Sequence, residues 1–255
     1  MTQSQINLIA LPDIPDIVPG DDLAAVILAA LERANQCLQD GDVVVVTQKI
    51  VSKAEGCAIP LESVTPSPEA LALAEATAKD PRLVEIILRE SHGIVRQRGG
   101  TLIMETHHGW ICANAGVDRS NIGGDMGEVA LPLPSDPDAS AHRIREALQA
   151  ATGADIAVLI TDTHGRPWRE GTVNITIGAA GMMPLADLRG TPDRYGYILR
   201  VTVVARADEL AAAAGLLMGQ AGEGMPVVLI RGAAYPRGDG CATQMQRAPE
   251  RDLFR

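Results

Sequence analysis

Three polar runs carry the residue types needed for chemistry on a phosphorylated or carboxylated substrate. In ICANAGVDRSN, Asp118 and Asn121 lie three apart beside a glycine, although Asp and Asn also form such turns for purely local reasons. In LITDTHGRPWREG, Asp162 and Thr163 leave an apolar strand together, and Arg166 and Arg169 follow three residues apart. A carboxylate beside a hydroxyl at a strand exit suits Mg²⁺ or Mn²⁺, which take oxygen donors and keep waters for exchange with phosphate. The two guanidinium groups are of the type that grips phosphate or carboxylate bidentately, with a solvated loop ion pair as the plainer alternative. In LLMGQAGEG, Gly219, Gly222 and Gly224 would let backbone N–H groups approach phosphate oxygens, with Gln220 and Glu223 nearby. A helix C-cap explains the same glycines.

Two further signals are weaker. Lys49 and Lys53 in TQKIVSKAEG are four apart, so a helix would stack them on one face, where they either neutralise a triphosphate or remain solvated. The adjacent His107 and His108 have no third His or Cys at ligand spacing, and neighbours on a strand point to opposite faces, so zinc is not indicated. His164 is either a proton carrier or a loop hydrogen-bonding residue. No G-x-S-x-G elbow occurs and no cysteine has a recognisable partner, which leaves covalent catalysis without support. The two commonest nucleotide fingerprints, G-x-x-x-x-G-K-[ST] and a strand-borne G-x-G-x-x-G, are also absent, so any nucleotide site must be built another way.

The elements that must position these residues can be read from periodicity and punctuation. Residues 6–11 read as a strand, and GDDLAAVILAALERANQCL as an acidic-capped helix ended by Gly41. DVVVV reads as a buried strand that feeds TQKIVSK. Helices are expected from Ser67-Pro68 through EALALAEATAK, over Pro81 to Arg89, and over Ala139 to Ala151 after the linker LPLPSDPDAS. TLIMET and GWICA read as short strands, and IAVLI (156–160) as a strand that ends directly in the polar loop TDTHGRPWREG. YILRVTVVA, DELAAAAGLLMG and PVVLIRG then read as strand, helix and strand. Because strands and helices alternate irregularly, the expected class is α+β with mixed sheets.

Composition bounds the partners. A chain of 255 residues with 46% hydrophobic content can bury one large core or two closely packed smaller ones. A net charge of −10 and 2% aromatics argue against nucleic acid, so an anionic ligand must be held by local Arg, Lys or metal. Cys37, Cys57, Cys112 and Cys241 form no C-x-x-C pair and read as buried thiols. The N-terminal run has no basic region and is broken by Pro12 and Asp13, and no stretch reaches membrane-span length. A cytoplasmic protein with no membrane partner is expected.

Taken in order, GDVVVVTQKIVSKAEG, LVEIILRES, GWICANAGVDRSN, LPSDPDASAHRIR, VLITDTHGRPWREGTVNITIGAAG and ADELAAAAGLLMGQAGEGMPVVLIRG resemble the coenzyme F420-0:L-glutamate ligase family. These are γ-glutamyl ligases that build the glutamate tail of the deazaflavin cofactor F420, and the likeness covers nearly all of residues 1–255. It implies that GTP activates the carboxylate at the lactyl phosphate end of F420-0 as an acyl phosphate. The amine of L-glutamate then attacks it, GDP and phosphate leave, and further γ-linked glutamates can follow.

The resemblance implies Asp118, Asp162, Thr163 and Gln220 as ligands of two divalent ions, Mg²⁺ or Mn²⁺, with a monovalent K⁺ left open. Gln220 stands where some relatives carry Glu, which removes one negative charge and implies weaker affinity for the second ion. The guanine nucleotide is implied to contact Ile14, Pro15, Asp16, Ile17, Gln48, Lys49, Lys53 and Asn121, together with Leu216, Leu217, Met218, Gly219, Gln220, Ala221, Gly222 and Glu223. Arg166 and Arg169 match the family's basic loop, and charge assigns them to the acidic substrate as catalytic residues. The resemblance further implies two closely packed subdomains intertwined in a homodimer, with sites at the subunit junction. A metal-dependent phosphohydrolase or phosphotransferase is the competing function. A nucleotide sensor without turnover fits less well, because Asp162 and Arg166 are both present.

Overall fold

The structure, a computed structural model, describes residues 5–119 and 128–253. In chain order its first half contains β1 (Asn7–Ala10), α1 (Leu23–Arg33), β2 (Val43–Thr47), α2 (Gln48–Ala54), β3 (Ile59–Pro60), α3 (Pro68–Thr77), α4 (Pro81–Arg89), β4 (Ser91–Arg98), β5 (Thr101–Thr106) and β6 (Ile111–Ala113). The second half contains β7 (Val129–Ala130), α5 (Pro137–Thr152), β8 (Ala157–Arg166), β9 (Arg169–Ala180), β10 (Leu185–Asp187), β11 (Val203–Ala205), α6 (Arg206–Met218) and β12 (Val227–Arg231).

Local chemistry explains where the helices begin. Asp22, Ser67, Asp80 and Asp136 each sit in extended backbone and accept from N–H groups of the first turn, and proline follows in α3, α4 and α5, where its missing N–H costs nothing. The four valines of β2 and the apolar residues of β8 and β12 are buried along their length, so these strands need cover on both faces. They form the middle of a five-stranded sheet in the order β1-β12-β2-β8-β9, antiparallel except for the parallel β2–β8 pair. Helices α5 and α6 pack on it, and α1 packs on α5.

A second, separate buried cluster joins α3 and α4 to β5 through residues such as Leu73, Val84, Ile87, Leu102 and Met104. There β4, β5 and β6 form an antiparallel sheet, and β3–β7 and β10–β11 are two-stranded pairs. Helices with mixed sheets make the fold α+β, as expected. Among the described residues no helix is long and apolar enough to cross a membrane.

Several local expectations change. Helix α1 stops at Arg33, well before Gly41, because Asn35 takes a left-handed turn with φ +50°. Strand β4 was not anticipated, since HGIVRQR is polar and only its alternate residues are partly covered. Only Val203–Ala205 of YILRVTVVA is strand. His107 and His108 lie in a turn after β5 rather than on a strand; their Nε2 atoms meet the carbonyls of Arg89 and Pro134. The largest correction concerns TDTHGRPWREG, which is not a loop. Strand β8 continues through it to Arg166 and pairs with TVNITIGAA in β9 except at Ile177, where the register shifts; the β-branched alternation supplies the partner ladder.

Candidate active site

A cavity of ≈ 370 Å³ opens where β2 ends and its parallel pairing with β8 stops, at Thr47 beside Thr161. Its walls come from four segments far apart in sequence and one isolated residue: 14–17, 47–53, 161–163, Asn174 and 218–226.

The first wall is α2, which starts directly after β2. Its i, i+4 geometry brings Lys49 and Lys53 to the cavity together. Lys53 is buried; desolvation lowers its pKa, and Asp16 on the facing segment works against that. Gln48, also buried, accepts from Ser52 Oγ at 2.9 Å, which fixes its amide so that Nε2 donates to Asp118 Oδ2 at 2.8 Å. Lys49 Nζ stands 3.4 Å from the same oxygen. Asp118 therefore backs onto the lining residues without lining the cavity itself. Burial pushes its carboxyl up to about 6, Lys49 opposes the shift, and the nearby Asp162 adds to it.

The second wall is β8, where successive side chains alternate in direction. Asp162 and His164 share one face, with Asp162 Oδ2 3.1 Å from His164 Nε2 and both side chains nearly buried. Thr163, on the other face, donates to Gln220 Oε1 at 3.0 Å. Gln220 Nε2 donates in turn to Asn174 Oδ1 at 2.9 Å, and Asn174 stands opposite Thr163 in the β8–β9 register. This triad ties the turn after α6 to the sheet.

That turn depends on Gly219. Its φ of +69° and ψ of −169° belong to a region essentially confined to glycine. A Cβ there would also stand 2.0 Å from the Glu223 carboxyl carbon. Glu223 accepts from Ala221 N–H at 2.7 Å, which holds its carboxyl below the ordinary value and keeps the turn closed.

The donor set fits a hard divalent cation. Asp118 and Asp162 are mostly buried carboxylates close enough to raise the pKa of Asp118, a repulsion that a cation would relieve. Thr163 and Gln220 add neutral oxygens. Among the described residues no three His, Cys, Asp or Glu side chains group as a metal site. Hydroxyl, amide and water oxygens would complete a shell of the Mg²⁺ or Mn²⁺ type rather than a zinc one.

Most expected contacts thus meet at one cavity: Ile14 to Ile17, Gln48, Lys49, Lys53, Asp162, Thr163, Met218 and Gly219 to Gly222 line it. Leu216, exposed on α6, and Leu217 do not, and Glu223 braces the turn from outside the lining. Arg166 and Arg169 pair across the hairpin end beyond the cavity, with Arg166 Nη2 donating to Glu170 O at 3.2 Å. Asn121 lies outside the described residues. Thr47, Thr161, Asn174, Met225 and Pro226 also line the cavity and were not singled out. For Asn174 a signal existed: an amide inside the β-branched run TVNITI must find partners when it is buried.

An α+β fold that sets the lysines of α2 on one wall of a cavity and carboxylates beside another defines a class of site suited to a phosphorylated ligand and a cation. A family model described as F420-0:Gamma-glutamyl ligase matches residues 13–232. The chain is 52% identical over 254 residues to a Coenzyme F420:L-glutamate ligase of Methanothermobacter thermautotrophicus, covering 98% of this chain and 99% of that protein. Proteins of the same name from Methanopyrus kandleri and Halobacterium salinarum are 49% and 41% identical; the matches span 93% and 98% of this chain and 92% and 96% of theirs. The chain belongs to the F420-0:gamma-glutamyl ligase family and is an amide-forming ligase.

Proposed function

We propose that this ligase joins L-glutamate to F420-0 at the expense of GTP. An oxygen of the lactyl phosphate carboxylate attacks the γ-phosphorus, the bond to the bridging oxygen breaks, and GDP leaves with the electron pair, giving an acyl phosphate. The neutral amine of L-glutamate attacks the acyl carbon, the new nitrogen loses a proton, the C–O bond to phosphate breaks, and an amide remains. No protein nucleophile is needed, so the protein's contribution is positioning and charge. Lys49 and Lys53 hold the triphosphate, and the turn from Gly219 to Gly222 offers it backbone N–H groups. Asp118, Asp162, Thr163 and Gln220 would hold one or two divalent ions, whose chemistry is to neutralise charge on the transferred phosphoryl group; K⁺ is a further candidate ion.

What supports this reading is the convergence of α2, β8 and the turn after α6 on one cavity, in a chain of this family. The two separate buried clusters support a reading as two subdomains. Exposed Tyr195, Ile198 and Val201 beside β11 support a homodimer in which they are covered. The activity is tested with purified protein, GTP, Mn²⁺ or Mg²⁺, L-glutamate and F420-0. Mass spectrometry should show a product heavier by one glutamate residue, with GDP in equal amount. GDP released at the same rate without glutamate or F420-0 would instead mark a hydrolase.

A further inference from the structure

Asn174 goes against local preference on two elements at once. It interrupts TVNITI, whose other five residues are β-branched and favour strand, where an amide is disfavoured. Its side chain is only 5% exposed, so its polar atoms must find partners within the protein. Facing it on α6 is Gly215, a glycine inside a helix, where alanine is the favoured residue. A Cβ on Gly215 would stand 3.1 Å from Asn174 Cγ, close enough to displace the amide. Strand and helix each give up a preference to seat this one side chain.

Only one orientation satisfies the amide. Nδ2 donates to Met218 Sδ at 3.5 Å, while Oδ1 accepts from Gln220 Nε2 at 2.9 Å with Thr163 Oγ1 3.3 Å away. Turned over, the buried oxygen would face a thioether sulfur, which has no hydrogen to give. With Oδ1 aimed at Gln220, the Gln220 amide must present its nitrogen. Its Oε1 is thereby turned toward Thr163, whose hydroxyl it meets at 3.0 Å. The relay runs from Met218 through Asn174 to Gln220, and it leaves two oxygens from separate elements side by side at the cavity lining.

We infer that Asn174 is a positioning residue that turns the Gln220 oxygen toward Thr163, so that both oxygens are offered to one divalent cation; the inference rests on the cation reading above. The polar atoms of Asn174 are taken up by Met218 and Gln220, so it acts through Gln220 rather than as a donor to the cation. A Gln220 amide free to rotate would present its NH₂ group as readily as its oxygen, and an amide NH₂ does not ligate a hard cation.

The test reads Mn²⁺ affinity of the whole protein by electron paramagnetic resonance, with no turnover involved. Gln220→Ala should weaken binding by about tenfold or more, and so should Asn174→Leu, which keeps the volume and removes both bonds. In the Gln220→Ala background, Asn174→Leu should add less than about twofold, because its effect passes through Gln220. Asn174→Thr suits the strand and cannot reach Gln220, so it should show the same loss with thermal unfolding close to wild type. Mn²⁺ affinity within twofold of wild type in both Asn174 variants would overturn the inference. An equal loss in the two backgrounds would overturn it too, since that marks a merely structural role. Absent Mn²⁺ binding in the wild type, or unchanged affinity in Gln220→Ala, would sink the cation reading itself and this inference with it.

Discussion

Asp118 and Asp162 are two acids near one cavity, and burial governs the first. Asp118, with its carboxyl pushed up to about 6 by burial, binds its proton more tightly folded than unfolded. In the cation-free protein its favourable contribution to stability is therefore complete below the ordinary carboxyl value and lost as pH rises through about 6. Asp118→Asn should accordingly be more stable than wild type at pH 8, by on the order of 2 kcal/mol, with the gap closing toward pH 4. Chemical denaturation at the two pH values measures it, and a gap that does not vary with pH would contradict the burial argument. Mn²⁺ affinity of the wild type should fall below pH 6, because a cation needs the ionised form. Asp162→Asn removes the other carboxylate charge while leaving the shape of β8. Its turnover should drop by about 10² or more with an unchanged circular dichroism spectrum; near-normal activity would remove Asp162 from the site.

At the scale of elements, the turn after α6 makes the sharpest case. Gly219→Ala meets both a backbone region that alanine avoids and the Glu223 carboxyl. It should cost about 1–3 kcal/mol of stability and weaken GTP binding, as calorimetry would read. Glu223→Ala in the same chain should recover only part of the stability, since it relieves the contact and not the φ. The elements that sequence made legible are those with local causes. Ser67-Pro68 and Asp80-Pro81 announce helix starts without reference to the rest of the chain, whereas α5 begins at Pro137, two residues before the expected Ala139. The continuation of β8 through Thr161 to Arg166 was not legible, because its polar residues read as a loop until β9 supplies the partner. Likewise the glycines and lysines of the cavity stand out alone, whereas Asn174 gains its meaning only from Thr163 across the ladder and Gln220 on another element.

For the whole molecule, the exposed apolar side chains around residues 195–203 predict a dimer by light scattering. Ile198→Asp with Val201→Asp should shift it to monomer; a wild-type monomer would contradict that assignment. In the proposed reading, oxygen donors from Asp118, Asp162, Thr163 and Gln220, and the lysines of α2, would serve one nucleotide and its cations although their segments are far apart in the chain. The direct measurement is a crystal structure with Mn²⁺ and a non-hydrolysable GTP analogue, with manganese located by anomalous scattering. The account predicts manganese bonded to Asp118 and Asp162 and the phosphates against Lys49, Lys53 and the Gly219 turn. Manganese and nucleotide bound away from this cavity would contradict it.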